Sequence, residues 1–351
     1  MRTYEPERST PPRGESGQVF IMVALLLAVF GGLVAIAVDF GAMAADRRDL
    51  QNSADAIALA ASQELPNQDA ARDVAEDWAE RNGIPLAAME LTFVAQDLPT
   101  EPNPKVIVEL TESHEFVFAR LVGITEADVG ATAAAVKTSP GGSEGLMPWS
   151  VLKAVKDGAV PGESLVLKYD ATDVTTGNFG ALRLDGNGSN VYRDTIKYGS
   201  DTGLCADSVA DCPYPSATDT EPGNMRGPTE TGTDYRMENT SAACNDWSEV
   251  VNVVDGGVMG LKPECNPFGS GGNSESLRVV VVPVISSLCN GECEVTIKEF
   301  ALFFLEGYGE GGCTGNVCEI KGRFIESNTN YGAWMGVYDE ETLSHFVRLV
   351  Q

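Results

Sequence analysis

Histidine, the commonest general base in catalysis, is scarce in this chain. The 351-residue sequence has only two histidines, His114 and His345, and they lie far apart. A Ser-His-Asp or Cys-His arrangement would have to use one of them. The glycine-rich stretch at 269–273 lacks the lysine and the spacing of a phosphate-binding P-loop, so we expect a flexible loop there. The sequence therefore predicts no enzyme and no cofactor.

The best candidate for ligand binding is a short acidic stretch, LDGNGSN. In it Asp185, Asn187 and Ser189 alternate, as oxygen ligands do in a calcium loop. The bidentate glutamate that ends such a loop is missing, because Ile196 stands at that position. A tight Asx turn between two strands accounts equally well for these residues. Calcium is thus a weak prediction.

All eight cysteines lie between Cys205 and Cys318. An even number crowded into one segment favours disulfides, and hence an oxidising compartment. Zinc is the alternative, but the paired C-x2-C knuckles of zinc ribbons are missing and both histidines lie outside the cluster. Many pairings are possible, and the short spacings favour local ones. The preferred pairs are Cys205–Cys212, Cys244–Cys265, Cys289–Cys293 and Cys313–Cys318.

The chain is strongly acidic, with 51 Asp and Glu against 24 Lys and Arg and a formal net charge of −27. Nucleic-acid binding needs basic side chains that displace counterions from phosphates, so this balance argues against a nucleic-acid partner. It also argues against a surface held by anionic lipid headgroups. Such acidity usually serves solubility. With 43% hydrophobic residues the chain can still build a sizeable core.

The element that must position the rest of the chain is an apolar run from Val19 to Val38. It carries no charged side chain, and at about 1.5 Å per residue it spans roughly 30 Å, the thickness of the bilayer hydrocarbon. A signal peptide cut near Ala42-Met43-Ala44 is the alternative, but its apolar core would be shorter. We therefore expect a retained, single-pass membrane anchor. Since disulfides form outside the cytoplasm, the consistent topology has a cytoplasmic N-terminus and an external C-terminal part.

Small residues recur every three or four positions on one face of this predicted helix. They are Ala24, Ala28, Gly32 and Ala35. Such a stripe lets another transmembrane helix approach closely, although small residues are common in membrane helices in any case. Asp39 then closes the span at the membrane interface, where a charge costs little.

Beyond the span the chain stays helical and becomes amphipathic. Apolar residues recur at intervals of three, four and seven: Met43, Leu50, Ala54, Ile57 and Ala61. Pro66 provides a helix end after Leu65. Residues 18–65 are therefore predicted to form one helix, anchored in the membrane by its N-terminal half and available for packing along its C-terminal half.

The stretch ESGQVFIMVALLLAVFGGLVAIAVDFGAMAADRRDLQNSADAIALAAS resembles the N-terminal signature of the TadE/TadG-like proteins of the Tad (tight adherence, Flp pilus) system. The most specific part of the likeness is an ordered string: Asp39, Arg47, Arg48, Leu50, Gln51, Asn52, Ala54 and Asp55. Weaker likenesses to the same group occur at 177–180 and 300–324. The resemblance implies a pilin-like helix, with the membrane and other pilus-assembly or pilin-like proteins as partners.

One departure from pilins bears on processing. Pilin precursors cut by prepilin peptidase carry a glutamate five residues after the glycine at the cut. After Gly17 the fifth residue is Met22, and after Gly14 it is Val19. The sequence therefore favours a permanently anchored TadG-like protein over a cleaved pseudopilin.

Residues 66–137 are predicted to form a small α/β pilin-like segment. Its expected elements are a helix at 69–81 and strands at 89–96, 105–112 and 128–137. Between the last two strands lies an aromatic-rich stretch. We expect Phe116, Phe118 and Leu121 in the core and His114 on the surface.

After a flexible linker predicted at 138–145, residues 146–351 are expected to form strands separated by turns. A β-sandwich or an irregular barrel braced by disulfides fits this pattern. The predicted fold class is α+β: a long N-terminal pilin-like transmembrane helix with a small α/β segment, then a mostly-β disulfide-braced distal domain outside the cytoplasm. Residues 1–17 are expected to be a cytoplasmic tail.

These features predict a membrane-anchored extracytoplasmic component of Tad/Flp pilus assembly or surface display, which acts by helix packing and protein–protein contacts. Two alternatives from other classes remain. One is a tethered adhesin or ligand-binding module that works independently of pili. The other is a cell-envelope hydrolase, for which we find no convincing nucleophile.

Overall fold

The computed structural model of the chain describes residues 16–94, 103–168, 180–253, 259–268, 276–289, 291–314, 317–326 and 334–350. Some stretches interpreted from the sequence lie outside these ranges. They are most of the N-terminal tail, the glycine-rich stretch at 269–273, most of the stretch at 177–180, and the last two residues of the strand expected at 89–96.

The helices of the described residues are α1 (Ser16–Ser62), α2 (Gln68–Arg81), α3 (Lys153–Asp157), α4 (Ser189–Tyr198), α5 (Arg226–Asn239) and α6 (Trp247–Val250). The strands are β1 (Met89–Val94), β2 (Lys105–Glu115), β3 (Glu126–Thr138), β4 (Pro140–Ser143), β5 (Val151–Leu152), β6 (Ser164–Lys168), β7 (Leu204–Cys205), β8 (Ala217–Asp219), β9 (Val251–Val253), β10 (Met259–Leu261), β11 (Val279–Ile285), β12 (Glu294–Thr314), β13 (Val317–Ile325), β14 (Trp334–Met335) and β15 (Phe346–Val350).

α1 is one uninterrupted helix of 47 residues, which confirms the long helix predicted from the sequence. At about 1.5 Å per residue it is roughly 70 Å long, more than twice the thickness of a bilayer core. Its C-terminal half buries one stripe of side chains: Leu50, Ala54, Ile57, Ala58 and Ala61. The same rod is therefore an exposed apolar span at one end and a core element at the other.

The first sheet has the strand order β1-β2-β3-β15 and is antiparallel throughout. α1 and α2 cover one of its faces, where alternate residues of β2 and β3, such as Leu110 and Ala131, are buried. α2 faces α1 with Ala71, Ala75 and Ala79, spaced four residues apart and fully buried. The helical spacing and the strand alternation in the sequence thus predicted the helix and the described parts of the three strands of residues 66–137.

The C-terminal strand of the chain returns to this first sheet. β15 pairs with β3 from Phe346 opposite Thr138 to Val350 opposite Ala134. The sequence analysis placed these residues with the distal part, because a local pattern carries no information on a partner some two hundred residues away. The fourth strand of the first sheet was therefore missed.

Residues 138–145 differ from the flexible linker that was expected. Thr138 ends β3, Pro140–Ser143 form β4, and every residue from 138 to 143 is buried. A side chain on Gly141 would meet the backbone of Gly336 at 2.7 Å, so glycine here permits close packing between two segments. The expectation of flexibility was wrong, while the domain boundary placed there stays a prediction.

The main sheet of the distal part contains β5, β11, β12, β13 and β6 in that order, with β8 paired to β12. Both faces of β11 are buried, since Val279 and Val281 enter one core cluster while Val280 and Val282 enter the other. This explains a continuous apolar run in place of an alternating one. α4 packs on the second cluster through Tyr192 and Ile196, so helices cover this face, where a two-sheet sandwich or a barrel was expected.

The helices α4 and α5 were not predicted from the sequence. α5 contains glycine, proline and threonine and has little intrinsic helix propensity. It forms because it packs tightly on α4: a Cβ on Gly232 would lie 2.7 Å from the Ile196 side chain. The sequence FGALRLDG at 179–186 also reads as one of the distal strands, but its described residues form only isolated bridges at Ala181 and Leu182.

Four disulfides brace the distal part. They join Cys205–Cys212, Cys244–Cys265, Cys289–Cys293 and Cys313–Cys318, the pairs that the spacing favoured. Cys244 and Cys265 are 1% and 0% exposed and belong to the core cluster that also holds Val250 and Val251. This bridge therefore substitutes for apolar packing around the short elements α6 and β9.

Candidate functional site

The N-terminal half of α1 is an exposed apolar surface. From Val19 to Val38 its large side chains are mostly half to three-quarters exposed, Phe20 at 77% being the extreme. Among the described residues this is the one helix long and apolar enough to cross a membrane. The predicted small-residue stripe lies on this surface, and a Cβ added at Gly32 would meet nothing within 4 Å. Ala24 and Ala28 are exposed on this surface, whereas Gly32 and Ala35 line a groove that faces residues 116–124. The role of the stripe in helix packing stays a prediction.

Asp39 connects the end of this span to the first sheet. Its side chain is buried, and its two carboxylate oxygens accept hydrogen bonds from the backbone N–H groups of Val117, Phe118 and Ala119, at 2.6–3.1 Å. These groups open a turn of 3-10 helix, Ala119–Val122, whose first N–H groups have no partner within the turn. The motif aspartate thus fixes the β2–β3 connection against α1, which is a structural role beyond closing the span.

His114 contacts Asp46, the next acidic residue along α1 after Asp39. Its Nδ1 lies 2.5 Å from Asp46 Oδ2, and its ring contacts the edge of Phe116 at 5.2 Å between centroids. The residue is 8% exposed, so the expectation that it lies on the surface was wrong. Asp39 and Asp46 lie seven residues apart, on the same face of α1 as Leu50. The docking face of the helix is therefore polar near the membrane and apolar further out.

The remaining residues of the motif divide between the two sides of α1. Leu50 and Ala54 are buried in the first core. Gln51 donates from Nε2 to Asp55 Oδ1 at 2.8 Å and to the Thr132 carbonyl at 3.0 Å, which ties α1 to β3. Arg47, Arg48 and Asn52 are exposed and take no part in this packing. Most of the ordered string is thus explained by docking α1 on the sheet.

Comparison with known protein families bears directly on this helix. Residues 17–72 match the TadE/G-like family model, which is described as putative Flp pilus-assembly. The matched stretch covers α1 and the start of α2 and ends before the first strand. No curated protein matches the chain, and no solved structure matches it. The family is a structural one, and nothing in the described residues points to catalysis.

α1 carries an apolar groove beside Asp39. Residues 116–124, here named the apolar tip, lie against Gly32, Ala35, Ile36 and Phe40, and the groove between them has a volume of about 530 Å³. The apolar tip is far from buried: Leu121 is 83% exposed, Val122 78% and Phe118 39%. The prediction that Phe118 and Leu121 belong to the core was therefore wrong. Phe116, which contacts His114, is also only half-buried.

The candidate calcium residues lie at the start of α4. Asp185 accepts hydrogen bonds from Thr195 Oγ1 and from the Thr202 backbone N–H, both at 2.9 Å, so each of its oxygens is engaged within the protein. Asn187 is exposed, and Ser189 begins α4. Among the residues that the structure describes, no three His, Cys, Asp or Glu side chains are grouped as metal ligands. Calcium binding stays a prediction.

One pattern that the sequence analysis missed is G-x-S-x-G at Gly141–Gly145, the pattern of a nucleophile elbow. Such an elbow exposes its serine on a sharp turn from a strand into a helix. Here Ser143 is 2% exposed in β4, and its Oγ donates to the Glu144 carbonyl. The chain continues through Gly145 into extended residues, with no helix before Lys153. This serine is not placed as a nucleophile.

A buried ion pair joins α3 to β12. Lys156, 1% exposed, places its Nζ 2.9 Å from Glu299 Oε1 and donates to the Glu341 carbonyl at 2.8 Å. Burial raises the pKa of Glu299, and the attraction of Lys156 opposes that rise. Because Lys156 contacts both Glu299 in β12 and the Glu341 carbonyl, it links the main sheet to the segment that leads into β15.

Proposed function

We propose that this protein is a membrane-anchored, extracytoplasmic component of Tad/Flp pilus assembly or surface display. The observation that carries the proposal is the place of the family match. It falls on a helix whose first half is an apolar surface of membrane length and whose second half is the spine of a folded unit. A continuous helix of this kind can hold a folded domain at a fixed distance from the membrane.

The proposed topology has the N-terminus in the cytoplasm and the sheets outside. Four disulfides in the distal part support it, because such bridges form and persist in oxidising compartments. A protease added to intact spheroplasts should therefore digest the distal part and leave the N-terminal tail protected. Protection of the distal part in intact spheroplasts would refute this orientation.

The proposed mechanism is packing of the small-residue stripe against a pilin-like helix in the membrane, through its exposed part at Ala24 and Ala28. Ala28→Leu places a large side chain on the stripe, and Ala37→Leu makes the same change on another exposed face of the same span. We expect Ala28→Leu to weaken co-purification with Tad components and Ala37→Leu to leave it intact. Equal behaviour of the two variants would mean that the stripe only faces lipid.

The first experiment shears surface filaments from intact cells and locates the protein by mass spectrometry, with its N-terminal peptide identified in the same run. Retention in the membrane with the residues before Gly17 present fits an anchored assembly factor. Recovery in filaments with a cut after Gly14 or Gly17 would make it a minor pilin and overturn permanent anchoring. Unchanged surface binding in cells that lack Tad pili would favour the tethered adhesin.

A further inference from the structure

The apolar tip is an unusual connection between two antiparallel strands. Loops at the surface of soluble proteins are polar as a rule, yet residues 116–124 read FVFARLVGI and contain no acidic side chain in a chain of net charge −27. Its exposed apolar side chains are Val117, Phe118, Leu121, Val122 and Ile124, between 39% and 83% exposed. A contiguous apolar patch of this kind indicates a surface that is covered in the working protein.

The height of the apolar tip along α1 indicates what covers it. The groove places the tip beside Gly32 and Ile36, which lie inside the apolar span from Val19 to Val38. Gly32 precedes Asp39 by seven residues, which is roughly 10 Å along a helix axis. Any bilayer that covers this span therefore surrounds the tip as well, at the level of its outer leaflet.

Most backbone N–H groups of the apolar tip have hydrogen-bond partners within the protein. Asp39 accepts the N–H groups of Val117, Phe118 and Ala119. Carbonyl groups within the same connection accept those of Phe116, Leu121, Gly123 and Ile124. Exposed N–H groups left without partners would oppose insertion into hydrocarbon, and this arrangement satisfies these seven N–H groups internally.

The cation of the apolar tip is turned back toward the sheet. Arg120 donates from Nε to the Phe116 carbonyl at 2.7 Å, and its guanidinium lies 3.3 Å from Glu115. The charged end thus points to the base of the connection, where headgroups and water would meet it, while the apolar side chains extend beyond. Charge and apolar surface are separated along the direction that insertion requires.

We propose that the apolar tip is embedded in the outer leaflet of the membrane that α1 crosses, with lipid acyl chains in the groove between the tip and the helix. The inference rests on the membrane anchoring in the proposed function and not on its pilus role. A helix alone can tilt and rotate, but a helix and a tip inserted together fix the height and the rotation of the first sheet above the membrane.

The test uses the full chain with its disulfides intact, reconstituted in phosphatidylcholine vesicles that contain a phosphatidylcholine brominated near the carbonyl end of one acyl chain. Leu121→Trp puts a fluorophore at the most exposed position of the apolar tip. Val160→Trp, at a residue 56% exposed in the distal part, is the matched control. We expect the brominated lipid to quench the added Leu121→Trp emission at least twofold more than the added Val160→Trp emission, with aqueous iodide giving the opposite order.

Two outcomes would overturn the proposal. Equal lipid quenching of the two variants, with iodide reaching both, would place the tip in water. Shielding of the Leu121→Trp emission from both quenchers would mean that protein, such as a second copy of this chain, covers the groove. A separate carbonate extraction tests the anchor: release of the chain from the vesicles would refute the membrane anchoring itself, whereas retention with a water-exposed tip refutes only this inference.

Discussion

The first sheet and the main distal sheet are stabilised by different kinds of contact. Between α1, α2 and the first sheet the buried side chains are mostly small, with Ala54, Ala58, Ala75 and Ala79 at or near zero exposure. The distal sheet buries aromatic residues instead and is surrounded by four disulfides. We name α1, α2 and the four-stranded sheet the first unit, and the main sheet with the elements that pack on it the distal unit. The stability of the first unit therefore depends on close backbone packing between helices and sheet. The stability of the distal unit depends on large buried side chains and on disulfides.

This difference follows from whether a unit contains a long helix. α1 is one continuous helix of 47 residues, so the first unit loses less chain entropy when it packs and can use small residues. The distal unit has many turns, mostly short strands apart from β12, and no such long helix. Disulfides restrict its unfolded chain and so compensate for weak local propensity. The predictions that follow test this division, beginning with the largest expected effect.

Removal of the buried disulfide should affect the distal unit most. Cys244→Ala with Cys265→Ala opens a loop with a separation of 21 residues and should lower the free energy of unfolding by about 3 kcal/mol. The control pair, Cys289→Ala with Cys293→Ala, has a separation of 4 residues and should cost about 2 kcal/mol. Urea titration in detergent, followed by the fluorescence of the distal Trp149 and Trp247, measures both losses. A larger loss for the control pair would contradict the loop argument.

Overpacking should affect the first unit next. Ala75→Leu forces a large side chain between α2 and α1 and should cost about 2 kcal/mol. Ala87→Leu makes the same change at an exposed position of the same unit and should cost little. Amide hydrogen exchange on β2 and β3 reports the difference. Equal exchange in the two variants would show that close packing at Ala75 does not determine the stability of the first unit.

The Asp39 contact should have a smaller and more local effect. Asp39→Asn keeps one oxygen but turns an NH2 group toward backbone donors, and should cost about 1.5 kcal/mol. We expect faster hydrogen exchange at the amides of Val117, Phe118 and Ala119, with β1 unchanged. Asp49→Asn, an exposed carboxylate on the same helix, is the control. Unchanged exchange at these three amides would mean that the turn is stable without the charge.

Much of the first unit could be predicted because its signals are local. The length of the apolar run, the recurrence of Leu50, Ala54 and Ile57, and the strand alternation are all periodic patterns within one element. In the distal unit, the spacing of the cysteines likewise indicated the four pairs.

Asp39 and Asp46 of α1 lie on the same helix face as Leu50. A polar side chain on the helix face that carries Leu50 was a signal, present in the sequence, that this face binds a polar partner.

Other features could not be read from local patterns. Leu121 was assigned to the core because the sequence alone does not distinguish an apolar residue that stays exposed from one that packs in a core. α5 owes its helix to packing of Gly232 on α4, which overrides propensity. The pairing of β15 with β3 depends on chain topology. These three features depend on what a segment contacts and not on its composition.

The smallest expected effect concerns the junction where the chain returns from the distal unit to the first. Burial, with the nearby charge of Lys137, lowers the pKa of His345 below 6.5, against the attraction of Asp339 and Glu340. Its Nε2 lies 2.9 Å from the Asp339 carbonyl, and its ring stacks near Tyr338. As the pH falls through 6.5, the unfolded chain binds a proton that the folded chain does not, so the free energy of unfolding should decrease. His345→Gln keeps a donor for that carbonyl and does not titrate. The thermal midpoint of the wild type should therefore drop further between pH 7.5 and 5.5 than that of the variant, and parallel curves would show that this junction is insensitive to pH.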